Sequence, residues 1–143
     1  MAVLVLNNAF ISIGGTAVAD HANSVNVNYE IDSIEVTAFG DSGHKFAGGL
    51  QNVTAEITLM QDFATNIPVG AATTSVEALV YPLVGTTTTV VVRATSAVKS
   101  TTNPEYTLTG TFLKSHTPVA GGVGELVKTV LSFSGGTLAK ATS

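Results

Sequence analysis

The segment SVNVNYEIDSIEV, residues 24–36, alternates apolar and polar side chains along most of its length. Val25, Val27 and Tyr29 occupy alternate positions, with asparagines between them. Because successive side chains of a β-strand point to opposite faces, this pattern predicts a strand that buries one face. A second alternating segment, VTAEITL at residues 53–59, follows after a loop-like stretch. The two segments predict a long pair of strands, and we place this pair at residues 24–38 and 49–60.

Shorter segments of the same kind indicate further strands. The dipeptide Gly14-Gly15 separates apolar residues 10–13 from residues 17–20, and it suits the positive dihedral angles of a two-residue hairpin turn. Alternating or β-branched segments predict strands at residues 86–95, 105–115 and 126–134. Three spacers rich in Gly, Pro, Ser, Thr and Asn are predicted to be loops, at residues 64–73, 96–104 and 117–124.

One segment departs from the β pattern. The sequence TSVE at residues 74–77 has the spacing of a capping box, in which Thr74 accepts a backbone hydrogen bond and Glu77 reaches back to the cap. Pro82 then disfavours further helix. The sequence therefore predicts a single domain, residues 1–143, with an all-β fold, a β-sandwich or barrel carrying one short flanking α-helix.

Composition points to an assembly rather than an isolated monomer. Charged residues make up 11% of the 143 residues, against a usual share of about 25%. Interface cores are depleted in charge, so this shortage predicts an oligomer. Six basic and ten acidic residues give a net charge of -4, which argues against dedicated nucleic-acid binding. The chain has no cysteine, which excludes disulfides and thiolate metal sites.

The segment FGDSGH, residues 39–44, contains the letters GDSG that surround the nucleophilic serine of trypsin-like serine proteases. A serine nucleophile needs a histidine base and a group that orients the histidine. The cysteine and the further glycine of the protease motif are missing, and the chain has three histidines. We therefore favour a polar loop, and a hydrolase that uses Ser42 remains a rival hypothesis.

Other chemical sites have weaker support. Histidine and carboxylate side chains suit zinc or iron, but they show no dedicated ligand spacing, and the candidates are Asp20, His21, Asp41, His44 and His116. Aromatic residues are 6% of the chain and include no tryptophan, which removes the usual stacking platform for sugars or bases. We predict no catalytic residue, no cofactor site and no metal site. The apolar N-terminal run breaks at Asn7-Asn8 and predicts neither a signal peptide nor a membrane span.

The order of these segments resembles that of the tail tube, or major tail, proteins of long-tailed bacteriophages. The resemblance extends over nearly the whole chain and is carried by FISIGGTAVAD (10–20), TAFGD (37–41), GGL (48–50), QDF (61–63), LVGT (83–86) and NPEYT (103–107). It implies a non-enzymatic virion protein that forms hexameric rings, which stack into a hollow tube through which DNA passes without specific binding. The implied partners are further copies of the chain and other tail proteins, such as tape measure, tail-tip or terminator proteins. The implied location is the virion, after assembly in the host cytoplasm, with no membrane partner.

The resemblance also implies roles for particular residues. The predicted loop 39–48 corresponds to the loop that tube proteins extend toward the next ring, and the stacking candidates are Phe39, Asp41, His44, Lys45 and Phe46. Glu35 and Glu56, on the two long strands, are candidates for an acidic lumen. The apolar residues 1–6 are a candidate strand donated to a neighbouring subunit.

Three rival hypotheses remain beside the tube. A capsid decoration or minor capsid protein would attach to a shell instead of polymerising. A non-catalytic β-sandwich binding module of adhesin or carbohydrate-binding type is the second rival, and the Ser42 hydrolase is the third. Tubes with contractile sheaths and the related secretion-system tubes share the architecture that the resemblance implies.

Overall fold

The computed structural model of the chain describes residues 4–69 and 71–143. These residues form short and long β-strands and one short α-helix, with single turns of 3-10 helix at Ala19–His21 and Tyr81–Leu83. The elements are β1 (Phe10–Ile13), β2 (Thr16–Ala17), β3 (Ala22–Glu35), β4 (Phe46–Met60), β5 (Ile67–Val69), β6 (Ala72–Thr74), α1 (Val76–Val80), β7 (Thr87–Arg93), β8 (Glu105–Ser115), β9 (Lys128–Ser134) and β10 (Thr137–Ala141). The predicted all-β fold with one short helix is confirmed.

The main sheet is antiparallel, and its strand order is β2-β1-β7-β8-β9-β4-β3. Strand β8 pairs with β7 along one edge, and along its other edge it pairs with β10 and then with β9. Residues 105–109 of β8 pair with β10, whereas Phe112, Leu113 and Ser115 pair with β9. Between these two regions Gly110 has a φ of 70°, a conformation that favours glycine. Strands β5 and β6 form a separate two-stranded hairpin.

The hydrophobic core covers one face of this sheet. The alternate residues of β4 that the sequence predicted to be buried are all buried, namely Val53, Ala55, Ile57 and Leu59. Leu131 and Phe133 of β9 join them in the core, and Val25 and Val27 of β3 pack against its edge. The period-two pattern therefore identifies the core face of β4, whereas on β3 it holds only for the partly buried Val25 and Val27, because Tyr29, which was predicted to share their buried face, is exposed.

Strands β3 and β4 form a hairpin that is longer than the core. Ala22 pairs with Leu59 at one end of the hairpin, and Glu35 pairs with Phe46 at the other. From Asn28 onward every residue of β3 is exposed, because the hairpin projects beyond the packed sheet. Strand β3 is also the last strand of the sheet, so its 14 residues are paired on one side within the described chain.

The loop of this hairpin has the predicted length but lies three residues earlier in the chain than the predicted loop 39–48. Strand β3 ends at Glu35 rather than at residue 38, and β4 begins at Phe46, so the tip loop comprises residues 36–45. The backbone N–H of Val36 donates to the carbonyl of Lys45 at 2.8 Å, which continues the pairing past the strand ends. Phe46 therefore belongs to strand β4 and was wrongly assigned to the loop.

The short helix is confirmed, but its predicted cap is wrong by one residue. The side chain of Ser75, not that of Thr74, accepts the backbone N–H of Ala78 at 3.1 Å. Helix α1 then begins at Val76, and Gly85, with a φ of 82°, leads the chain toward β7.

Two further predictions need correction or fall partly outside the described residues. The predicted loop 64–73 contains strand β5 and most of strand β6, and strand β10 was not predicted. For the predicted N-terminal donor strand, residues 1–3 lie outside the described residues, and residues 4–6 are exposed and belong to no strand. None of the described helices is long and apolar enough to cross a membrane.

Candidate assembly surface

The tip loop, residues 36–45, is held in one conformation by its own polar side chains. Asp41 accepts the backbone N–H of Ala38 at 2.7 Å through Oδ2, and its Oδ1 lies 2.7 Å from Nζ of Lys45. Thr37 Oγ1 accepts the backbone N–H of Lys45 at 2.9 Å. The Lys45 ammonium, with the smaller help of the Ala38 N–H, holds the pKa of Asp41 below its usual range. Asp41 and Lys45 therefore stabilise the loop through bonds to other residues of the same loop.

The other three stacking candidates have different positions. Phe39 lies at the apex of the loop with its side chain fully exposed, at 109% of the reference area. His44 Nδ1 lies 2.7 Å from Oε2 of Glu35, and the His44 ring lies 6.5 Å from the ring of Phe46. The structure therefore brings His44, Glu35 and Phe46 together at the end of the hairpin.

The strand register decides which face of the hairpin each residue occupies. Ile31 pairs with Gln51 and Ser33 pairs with Gly48, so β4 carries one extra residue between these pairs, a β-bulge. A Cβ on Gly48 would lie 3.3 Å from Cγ2 of Ile31, whereas a Cβ on Gly49 would lie 3.1 Å from Cδ1 of Ile34. Gly48 therefore shares the core-side face with Ile31, and Gly49 shares the opposite face with Ile34.

The core-side face of the projecting hairpin is largely apolar. It carries Tyr29, Ile31 and Phe46, whose side chains are half exposed, and we call these three residues the hairpin apolar face. Glu35 lies on this face because it pairs with Phe46. Exposed aromatic and aliphatic side chains beside an unpaired strand edge are typical of a surface that another protein covers.

The opposite face of the hairpin carries amide and carboxylate groups, and we call it the polar face. Asn28 Nδ2 donates to Oε1 of Glu30 at 2.9 Å, and Asn26 pairs with Glu56. The polar face is formed by Asn26, Asn28, Glu30, Asp32 and Glu56, and near the tip it also carries the exposed apolar side chain of Ile34. Glu35 and Glu56 therefore lie on opposite faces, and a lumen lined by one face of this hairpin cannot contain both.

A second apolar surface lies at the other end of β4. A shallow surface depression of about 540 Å³, open to solvent, is lined by residues of β9 and of the loop before it, and we call it the base pocket (Ala120, Gly121, Glu125, Leu126, Lys128 and Val130). Met60, the last residue of β4, pairs with Lys128, and the next backbone N–H, that of Gln61, donates to Val127 at 3.0 Å. The base pocket and the tip loop thus lie at opposite ends of the longest strand.

Helix α1 is attached to the sheet by a buried polar network that the sequence did not reveal. His116 Nε2 lies 3.0 Å from Oε2 of Glu77 on the helix, and its Nδ1 lies 2.7 Å from Oγ1 of Thr129 on β9. Gln61 Nε2 donates to the same Glu77 oxygen at 3.3 Å and to the carbonyl of Pro118 at 2.7 Å. The order Thr–His–Glu is that of a catalytic relay. Thr129 has no solvent-exposed surface, however, so the network fixes the helix and offers no hydroxyl to a substrate.

The three histidines also bear on the Ser42 hydrolase hypothesis. His44 bonds to Glu35, His21 Nε2 lies 3.1 Å from Oδ2 of Asp62, and His116 is buried in the network of helix α1. Each histidine is engaged by a carboxylate, and Ser42 lies in the exposed tip loop. Across residues 4–69 and 71–143, no three His, Asp or Glu side chains are grouped so as to hold a metal ion.

Comparison with known proteins shows which solved structures share this fold. No protein-family model matches the chain, and no curated protein matches its sequence. The fold is nevertheless tail-tube-like, because chains from the tube-containing structures of an extracellular contractile injection system and of the anti-feeding prophage share it over almost their whole length.

Three solved structures are similar at 10 or 11% sequence identity. A chain of the sheath–tube complex of an extracellular contractile injection system (PVC), in its extended state, matches with a TM-score of 0.64, covering 99% of this chain and 93% of that chain. A chain of the tube-terminating cap of the anti-feeding prophage (AFP) matches with a TM-score of 0.66, covering 100% and 93%. A chain of the PVC sheath/tube terminator in its extended state matches with a TM-score of 0.66, covering 99% and 98%.

Proposed function

We propose that this chain is a structural subunit that forms hexameric rings, which stack into a tail tube. The observation that carries the proposal is the β3–β4 hairpin, which projects beyond the core of a tail-tube-like fold with a free strand edge and an apolar face. In a ring, each subunit pairs with the free strand edge of its neighbour's hairpin and covers the apolar face of that hairpin.

The free edge of β3 supports closure into a ring. Unpaired N–H and C=O groups along a strand of this length invite uncontrolled pairing, and a closed barrel removes the edge. Tyr29, Ile31 and Phe46 are already about half covered within their own subunit, so burial of the remaining exposed part against a neighbour stabilises the ring by about 1 kcal/mol for each side chain. The low charge of the chain fits such extensive interfaces.

The polar face supports a lumen. In the proposed ring the hairpin apolar face packs on the neighbouring subunit, which leaves the polar face toward the channel. Glu30, Asp32 and Glu56 then line the lumen, and Glu35 does not. Acidic groups repel phosphate, so DNA passes through such a channel without being held. The proposed role is therefore a conduit in a virion or a phage-tail-like particle, assembled in the host cytoplasm.

Other components of the particle follow from this role. The PVC and AFP structures that resemble the chain contain tubes together with a sheath, a terminator or a cap. A tape measure, a tail-tip protein and a terminator are the partners we propose beside further copies of the chain. A tube-terminating subunit is the second candidate function, since two of the three similar structures described above are of a cap or a terminator.

The test is negative-stain electron microscopy of the purified chain over a concentration series, with a sizing column in parallel. We expect hollow rods, whereas rings that never stack would indicate a terminator. A persistent monomer would contradict both functions and favour the decoration protein or the binding module.

A matched pair of variants connects the result to the hairpin. Ile31→Lys places a charge on the hairpin apolar face and should abolish rings while leaving the circular dichroism spectrum unchanged. Val98→Lys makes the same type of change at an apolar side chain that is 86% exposed in a loop outside the hairpin, and should assemble normally.

A further inference from the structure

The chain carries an exposed apolar anchor at one end of its longest strand and an apolar depression at the other end. Strand β4 has 15 residues, which at a rise of about 3.3 Å per residue separate its ends by roughly 45 Å. The anchor is Phe39 in the tip loop, and the depression is the base pocket beside Lys128. The two features cannot meet within one molecule.

Phe39 is presented by a tight turn. The backbone N–H of Asp41 donates to the carbonyl of Ala38 at 3.2 Å, and Gly40 has a φ of 90°, as the third residue of a type II turn requires. The Asp41 side chain closes the same turn through the Ala38 N–H. Because the backbone of this turn is already hydrogen-bonded within the subunit, the freedom lost when Phe39 is buried is chiefly that of its own side chain.

The base pocket has the chemistry to receive an aromatic ring. Ala120, Leu126 and Val130 give it apolar walls. Leu126 is itself exposed, so the wall is accessible from outside the molecule. An apolar pocket with an aromatic anchor from a partner is the usual arrangement at the centre of a protein interface.

The charges around the two features are balanced. The base pocket has Glu125 and Lys128 at its lining, and the tip loop carries Lys45 and Asp41, which pair with each other close to Phe39. Each surface thus has one acidic and one basic side chain, and a contact between two copies brings together no excess of like charge.

We infer that Phe39 of one subunit inserts into the base pocket of a subunit in the adjacent ring. Different surfaces at opposite ends of one chain make a head-to-tail contact, and such a contact propagates along an axis instead of closing on two copies. The inference rests on the proposed tube function and names the residues that stack the rings.

The test uses the natural absence of cysteine from the chain. The double variant Phe39→Cys with Leu126→Cys is assembled and oxidised, then run on a denaturing gel without reductant. We expect a ladder of covalently linked chains, because each subunit bonds to one above and one below. The control Phe39→Cys with Val98→Cys should give no ladder, since Val98 lies outside the base pocket.

A second measurement separates stacking from ring formation. Phe39→Ala should raise the concentration needed for rods about tenfold or more and leave single rings intact. Rods of the double variant that give no ladder on oxidation would overturn the inference while the tube function stands. Failure of the unaltered chain to form either rings or rods would overturn both.

Discussion

Two adjacent glycines between β9 and β10 test how closely strand β10 packs against β8. Strand β10 in turn is hydrogen-bonded to strand β4 of the long hairpin. Gly135 and Gly136 have almost the same positive φ, 81° and 80°. A Cβ on Gly135 would meet nothing within 4 Å, whereas a Cβ on Gly136 would collide with the carbonyl oxygen of Thr109 and lie 2.9 Å from Gly110 C. Alanine is therefore expected to cost the same backbone strain at both positions, whereas only Gly136→Ala adds a steric collision.

The expected magnitudes follow from these two contributions. A left-handed conformation costs a residue with a Cβ about 1–2 kcal/mol, which is the whole effect expected for Gly135→Ala. In Gly136→Ala strand β10 must also move away from β8, which weakens the first backbone pairs at about 1 kcal/mol each. The N–H of Leu138, which donates to Oε1 of Gln51 on β4 at 2.9 Å, moves with it. We expect Gly136→Ala to lose about 3–5 kcal/mol in total.

Urea denaturation followed by circular dichroism measures the difference. With a slope of about 2 kcal/mol per molar urea, the midpoint should fall by about 0.5–1 M for Gly135→Ala and by about 1.5–2.5 M for Gly136→Ala. Amide exchange at Leu138 is the local measurement, and it should speed up in Gly136→Ala alone. Equal midpoints for the two variants would refute the reasoning, since they would show that the turn moves without disturbing β8.

Three further predictions concern single polar side chains. Ser75→Ala should lower the free energy of unfolding by about 1 kcal/mol and Thr74→Ala by less than about 0.5 kcal/mol, because Ser75 caps helix α1; thermal melts of both variants check this. Asn103→Ala should cost about 1–3 kcal/mol in urea denaturation, since its buried amide bonds backbone groups of the preceding loop, and an unchanged midpoint would contradict that role. Hydrogen bonds lower the pKa of Asp62, the largest effect coming from the backbone N–H of Ala64 and smaller ones from the side chains of Asn66 and His21. Its stabilising effect is therefore present above the unfolded pKa of about 3.9 and is lost as the pH falls through the lower folded value, so Asp62→Asn should be less stable near neutral pH and the gap should close in acid.

Local patterns predicted the strands whose burial is regular. The alternation over residues 105–115 has the bounds of β8, and that over residues 53–59 gives the buried face of β4. Strand β10 was missed because TLAKA has little β-branched character, and its position depends on the glycine turn and on pairing with β8. Pro68 within β5 hid the small β5–β6 hairpin for a similar reason, since proline argues against a strand.

The helix cap shows how tertiary contacts override a local motif. Thr74 and Ser75 are both good capping residues, and the spacing to Glu77 favoured Thr74. In the structure the Glu77 carboxylate is bound by His116 and Gln61. It therefore does not serve the reciprocal bond of a capping box, and the cap moves to Ser75. Neither partner is near the helix in sequence.

The bulge opposite Asp32 determines what the hairpin presents to its surroundings. Without the extra residue in β4, strict alternation from Val53 would place Phe46 on the polar face, beside the carboxylates. The extra residue reverses the alternation of β4 beyond Gly49, so that Phe46 joins Tyr29 and Ile31 on one face. Glu35 lies on that face in any case, because the alternation of β3 is unbroken from Ser24 to Glu35. The alternating letters gave no sign of the bulge, because a glycine pair fits either face. The grouping of Phe46 with Tyr29 and Ile31, away from the carboxylates of Glu30, Asp32 and Glu56, therefore depends on backbone pairing, and in the proposed tube this grouping lets a single hairpin serve both a subunit interface and a channel wall.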